Sequence, residues 1–173
     1  MRLAGIRGPS TSMDEPDNPF WRFSLDRYRR DGVAPLCLQA QDDFAANVNL
    51  VLFGLWLGTQ GKMLTEAGAH GCRACVSEWH ANVVVPMRGV RRWMKTCPVE
   101  DSVARNRLRA AIQKEEIEAE RMEHDMLHRL WVAERDALCE GGEAEEAAMA
   151  ANAARFCTTG AGTVVSRLVQ LCR

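Results

Sequence analysis

The sequence predicts an all-α fold: a single-domain, irregular bundle of about seven helices with one long helix and a disordered N-terminal tail. Three observations carry this expectation. Asn47 to Gly58, N-V-N-L-V-L-F-G-L-W-L-G, leaves no wet side on a helix, so it must be buried all round. Most other segments repeat apolar residues at i, i+4, i+7 rather than in strict alternation. Residues 103 to 139 read as one long helix with a narrow apolar seam.

Taken in order, residues 1–17 are rich in Gly, Pro, Ser and Thr with almost nothing to bury, and read as a disordered tail. Met13 within it is a candidate alternative start. Asn18-Pro19 reads as an N-cap followed by proline at the first helical position, where its missing N–H costs nothing. The helix it opens carries Trp21, Leu25 and Tyr28 on one side, with Phe20 beside them. Asp31-Gly32 stops it. Pro35 opens a short helix with Leu36, Cys37 and Leu38 on its apolar side, and Asp42-Asp43 ends it. Asn47 then caps the central helix.

Gly58 to Lys62 reads as a turn. Thr65 starts a weaker helix to about Val76, and Ser77 caps a further one from Glu78 to about Cys97. Val83, Met87, Val90, Met94 and Cys97 form its expected buried stripe. Pro86 deletes the bond to the Asn82 carbonyl and implies a kink or a restart. Pro98 breaks the chain, and Asp101 or Ser102 caps the long helix. Its expected seam is Leu108, Ala111, Ile112, Ala119, Met122, Met126, Leu130 and Ala133, with Glu116, Arg121 and Glu123 in water. Gly141-Gly142 terminates it. Residues 143–157 are helical by alanine propensity, and Thr163 to Leu171 forms a last helix. The expected organisation is a tail (1–17), a helical core (18–140) and a C-terminal extension (141–173) that packs on or pairs with the long helix.

Composition bounds the function. A chain of 173 residues with 47% apolar and 26% charged residues fits one globular domain. A net charge of −1 gives no global argument for nucleic acid. Charge is locally uneven: residues 88–114 hold eight Lys/Arg against two acids, and residues 115–125 hold six acids against Arg121. Seven scattered cysteines and a start without an apolar signal region point to free thiols in a reducing cytoplasm. The longest apolar run falls short of the roughly 18 residues that cross a bilayer.

Trp21, Phe23-Ser24-Leu25, Tyr28, Gly32-Val33, Cys37-Leu38-Gln39 and the run from Val48-Asn49-Leu50 to Trp56-Leu57 form a pattern. Trp79, the Val84 to Arg92 segment with Pro86-Met87-Arg88, and the Glu-Ala-Glu-Arg run at 118–121 extend it. In these residues the chain resembles domain of unknown function 2390, a family of small proteins common in proteobacteria. The resemblance covers roughly residues 18 to 130. It implies a helical fold and no assigned activity or catalytic residue.

Four groups of residues are candidate sites. Cys72, Cys75 and His80 offer two thiolates and an imidazole for zinc, but a second ligand pair at the usual spacing is missing. Glu116, Glu120, His124 and His128 follow one another at i+4, and without matching ligands from other helices they read as a solvated face. Trp21, Tyr28, Asn49 and Trp56 could line a small-ligand pocket, with Gln39 or Gln41 within reach of the asparagines. Arg88, Arg91, Arg92 and Lys95 form a candidate basic surface. Nucleotide-binding, nucleophile-elbow and zincin motifs do not occur.

The favoured reading is a non-enzymatic helical protein that acts through a protein-partner surface or self-associates through the long helix. It needs no cofactor, no metal and no membrane span. One alternative is a small-molecule or metal-dependent enzyme with a pocket near Asn49, Trp56 and Trp79. The other is a weak nucleic-acid binder through the block at 88–109.

Overall fold

The computed structural model describes residues 18–98, 100–141 and 144–173. The expected tail, Met13 and Gly142 lie outside the described residues. Helix α1 spans Pro19–Tyr28, α2 Val33–Phe44 and α3 Val48–Gly58. Strand β1 (Lys62–Leu64) precedes α4 (Glu66–Trp79), which continues through a π turn (His80–Val84) into α5 (Val85–Trp93). The long helix α6 is Ser102–Leu138, followed by β2 (Cys139–Gly141), α7 (Glu145–Ala154) and α8 (Gly162–Cys172). With α4, the π turn and α5 taken as one bent rod, seven helical rods form the bundle among the described residues.

The helix starts follow local chemistry. Asn18 Oδ1 accepts from the Trp21 amide at 3.1 Å. Asn47 Oδ1 accepts from the Asn49 amide at 2.9 Å, Thr65 Oγ1 from Gly68 at 2.9 Å and Asp101 Oδ1 from Ala104 at 2.8 Å. Each satisfies an amide that the helix itself cannot. Helix α2 begins at Val33, ahead of Pro35, because Gly32 takes a left-handed turn (φ 87°) that aims the chain straight into it.

Helix α3 is the axis of the fold, with every residue from Asn49 to Gly58 buried. It contacts α1, α2, α6, α7 and β1. Phe20, Phe53 and Trp56 form an aromatic cluster, with ring centroids 5.1 to 5.7 Å apart. Aromatic pairs in such arrangements add to the gain from burial alone.

The C-terminal helices do not run along α6. Helix α7 lies chiefly against α3, and α8 against α2 and α7. The physical reason is a pair of glycines on α3. A Cβ on Gly58 would collide with the Met149 backbone, and one on Gly54 would sit 2.9 Å from the Asn152 carbonyl carbon. Buried Asn152 fills this junction: its Nδ2 donates to the Gly54 and Lys62 carbonyls at 3.1 and 2.8 Å, and its Oδ1 accepts from the Leu64 amide at 2.7 Å. Strands β1 and β2, which the sequence did not suggest, pair antiparallel with Met63 opposite Glu140.

Two expected buried stripes are corrected. Of the expected long-helix seam, Leu108 is 56% and Met122 45% exposed, while Glu116, Ala119, Glu123, His124, Leu127 and Trp131 face inward. The inner face of α6 is partly acidic because its neighbours present Arg88, Arg91, His80 and Asn49 to it. In the rod from α4 to α5 there is no break at Ser77. The inward residues run Ala69, Cys72 and Val76, then Val84, Arg88 and Arg91; of the expected stripe Met94 and Cys97 are buried, Val83 and Met87 half-buried and Val90 exposed. The π turn inserts one extra residue and so rotates everything after it by about 100° relative to an uninterrupted α-helix. Pro86, which lacks an N–H, sits at the start of α5, where that loss is tolerated.

Candidate functional site

A cleft of about 270 Å³ opens between α1, α2, α3, α5 and α6. Trp21, Leu25, Leu38, Val48, Leu52 and Ile117 form its apolar walls. The Trp21, Leu25 and Tyr28 stripe, which the spacing marks as core-facing, is thus one wall of the cleft, while Phe20 and Ser24 make the buried side of α1.

The polar end is built by α5 and α6. Arg91 is bidentate to Glu116, through Nε to Oε2 and through Nη2 to Oε1 at 3.0 Å. Arg88 bridges two carboxylates, with Nε 3.2 Å from Glu116 and Nη2 2.6 Å from Glu120. Burial opposes ionisation of Glu116, but the hydrogen bonds and charges of Arg91 and Arg88 together overcome it and hold the carboxyl below its ordinary value. At Glu120 burial prevails over Arg88, reinforced by the neighbouring carboxylates, and the carboxyl is raised. Two guanidinium groups thus meet two carboxyl groups of unequal acidity, the arrangement that separates roles between paired acids.

His124 joins the cleft from α6. Its Nδ1 donates to the Glu120 carbonyl at 2.9 Å, which leaves Nε2 to accept from the Ser24 hydroxyl at 2.9 Å. The ring stacks on Phe20, with centroids 4.3 Å apart, and burial lowers its pKa to about 4. A serine and a histidine at this spacing have the outline of a nucleophile and its base. An imidazole this reluctant to take a proton is a weak base, and buried Ser24 lies mid-helix, so the pair reads as a satisfied internal hydrogen bond.

A second polar group lies behind α3. The Glu123 carboxylate, fully buried, accepts from Asn49 Nδ2 at 2.5 Å and faces His80 Nδ1 at 2.8 Å. The Asn47 amide nitrogen lies 3.0 Å from that ring nitrogen and 3.5 Å from Glu123. The expected partners Gln39 and Gln41 are therefore replaced by an acid from α6. Asn18 adds a further tie, donating to Asp125 at 2.7 Å.

Of the pocket residues expected from sequence, Trp21, Tyr28 and Asn49 line the cleft and Trp56 does not. Trp56 is core, edge-on to His128 and Trp131. Trp79 also stays outside, its Nε1 donating to the Ala119 carbonyl at 3.0 Å. Among the basic residues, Arg88 and Arg91 turn inward to α6, Arg92 pairs with Asp42 at 2.8 Å and Lys95 is exposed. His80 turns to Glu123, and burial pushes the Cys72 thiol up to about 12 and raises that of Cys75. No group of three His, Cys, Asp or Glu stands at metal-binding spacing among the described residues.

Sequence reasoning gave Ser24 no part in a site and placed Glu116, Glu120, Glu123 and His124 in water. The available signal was the helical series Glu116, Glu120, Glu123, Leu127, Trp131, in which acids continue the line of an apolar stripe.

No curated protein and no solved structure matches the chain. The family model of Protein of unknown function (DUF2390) matches residues 19–127, a stretch that holds every side chain lining the cleft, and the chain belongs to that family.

Proposed function

We propose that the protein binds a small, partly apolar molecule that is neutral or zwitterionic, in the cleft between α1, α2, α3, α5 and α6. The observation that carries this reading is the meeting of an apolar-walled cleft with two arginines and two carboxyl groups already matched in charge. A ligand with one net charge would find no unbalanced partner there, whereas one presenting both a donor and an acceptor can share the existing pairs. Leu38 and Ile117 stand at the rim and Trp21 offers a flat face for a ring. Binding without chemistry is the simpler form of this reading, and the raised Glu120 carboxyl is the group that would donate a proton if the ligand is turned over.

Native mass spectrometry of protein isolated from its own cells, followed by ligand-observed NMR with the released compounds, tests it. A retained small molecule that no longer binds when Leu38→Trp blocks the rim is the expected result. An empty protein that also ignores a broad metabolite library would overturn the reading.

A second reading, action through a protein-partner surface, is favoured by exposed apolar side chains on α6. Val103, Leu108, Ile117, Met122 and Val132 all reach solvent along a helix of 37 residues. Concentration-dependent mass by light scattering, abolished by Leu108→Glu with Met122→Glu, is the outcome it requires. Under either reading we place the protein in a reducing cytoplasm, a location supported by its seven free cysteines and tested by cell fractionation.

A further inference from the structure

Next to the cleft, with Gln41 and Arg88 common to both, a recess of about 500 Å³ is lined by Gln41, Asp42, His80, Arg88, Gly89 and Arg92, among others. The π turn begins at His80, and its extra residue is what brings His80 and Arg88 to the same side of the rod. His80 Nδ1 faces inward to the Glu123 carboxylate at 2.8 Å, and the ring is 21% exposed, so the opposite nitrogen, Nε2, is the one left for the recess. The Asn47 amide nitrogen also lies 3.0 Å from Nδ1, so that nitrogen is met from two sides and the ring is held with Nε2 outward.

The surroundings say what that nitrogen meets. Arg92 spends Nη2 on Asp42, and Arg88 spends Nε and Nη2 on Glu116 and Glu120, which leaves Nη1 of Arg88 without a hydrogen bond among the described residues. Two arginines and one imidazole thus share an opening whose one acidic lining residue is Asp42. Burying a carboxylate as completely as Glu123 is costly unless every lone pair is used, and here Asn49 and His80 use them from two other elements.

We infer that this recess, which adjoins the cleft, is an anion site in which a small oxyanion lies between Arg88 and Arg92 and accepts a hydrogen bond from His80 Nε2–H, with Glu123 as the positioning residue. The inference stands whether or not the cleft holds a ligand.

Long-range 1H–15N NMR of the labelled full chain tests it, with inorganic phosphate and acetate as the two probes. The charged groups facing His80 are Glu123 from α6, Arg88 and Arg92 from α5 and Asp42 from α2. Phosphate should shift Nε2 saturably, as an anion held by charge-assisted hydrogen bonds from Arg88 and Arg92 against the ring would. Arg92→Ala should abolish the saturable shift, and Glu123→Gln, which removes the carboxylate that orients the ring, should weaken it. Response to phosphate alone identifies a phosphate site, and response to both identifies a general oxyanion site. No saturable response of Nε2 to either anion overturns the inference without reference to any variant.

Discussion

The most informative residues are polar ones that the fold buries. Glu116, Glu123 and His124 would each be costly inside a protein alone, and each is kept there by named partners: Arg91 and Arg88, Asn49 and His80, Ser24 and the Glu120 carbonyl. His124 makes this measurable. Folded, it takes a proton only near pH 4, whereas in the unfolded chain it does so near 6.5. Between those values the unfolded state binds more protons, so stability falls as pH falls, by about 2 kcal/mol between pH 7 and 5. Raised Glu120 works in the opposite direction, because its folded carboxyl accepts a proton first. Urea unfolding of Glu120→Gln at the two pH values isolates the histidine contribution, and adding His124→Gln should flatten it. A slope unchanged by that second substitution would contradict the assignment. None of these burials was legible from residue type. Acids on a helix default to water, and only the facing arginines and asparagines, remote in sequence, decide otherwise.

At the scale of elements, caps were readable and registers were not. Asn18, Asn47, Thr65 and Asp101 act within a few residues of themselves, so local sequence contains their whole physical cause. The face of α5 depends instead on whether the chain before Pro86 winds as α or π, a choice that shifts later side chains by one position. The α3–α7 contact was hidden for a similar reason. Gly58 reads from sequence as the start of a turn and Gly54 carries no local signal, but both are where another backbone approaches. Gly58→Val places a side chain against the Met149 backbone and should cost at least about 2 kcal/mol. Thermal unfolding reads this directly. As a control, Gly89→Ala, where an added Cβ meets nothing within 4 Å, should leave the melting temperature unchanged or slightly raised, since alanine is the better helix former.

For the molecule as a whole, the family match and the physical unit differ in extent. The match ends at residue 127, inside α6, yet α7 completes the surroundings of α3, and α8 packs on α2 and α7. Met149, Ala153, Val165 and Leu168 are buried in the same core as Phe53 and Leu57. Polar ties cross the same boundary: Arg27 donates to the Cys172 carbonyl at 2.5 Å, Arg30 to the Leu171 and Arg173 carbonyls at 2.8 Å, and Asn152 joins α3 to β1. Arg27, late in α1, and Arg30, just beyond it, therefore close the C-terminal end of α8, whose last carbonyls lack partners within their own helix. A chain cut after residue 141 would leave the glycine face of α3 open to water and the Leu64 amide without its acceptor. We expect that truncation to lose its cooperative thermal transition and to be digested by low levels of protease, while the full chain melts in one step. If residues 1–141 instead melt cooperatively as a monomer, the C-terminal helices are an appendage and the cleft belongs to a smaller folding unit than the one described here.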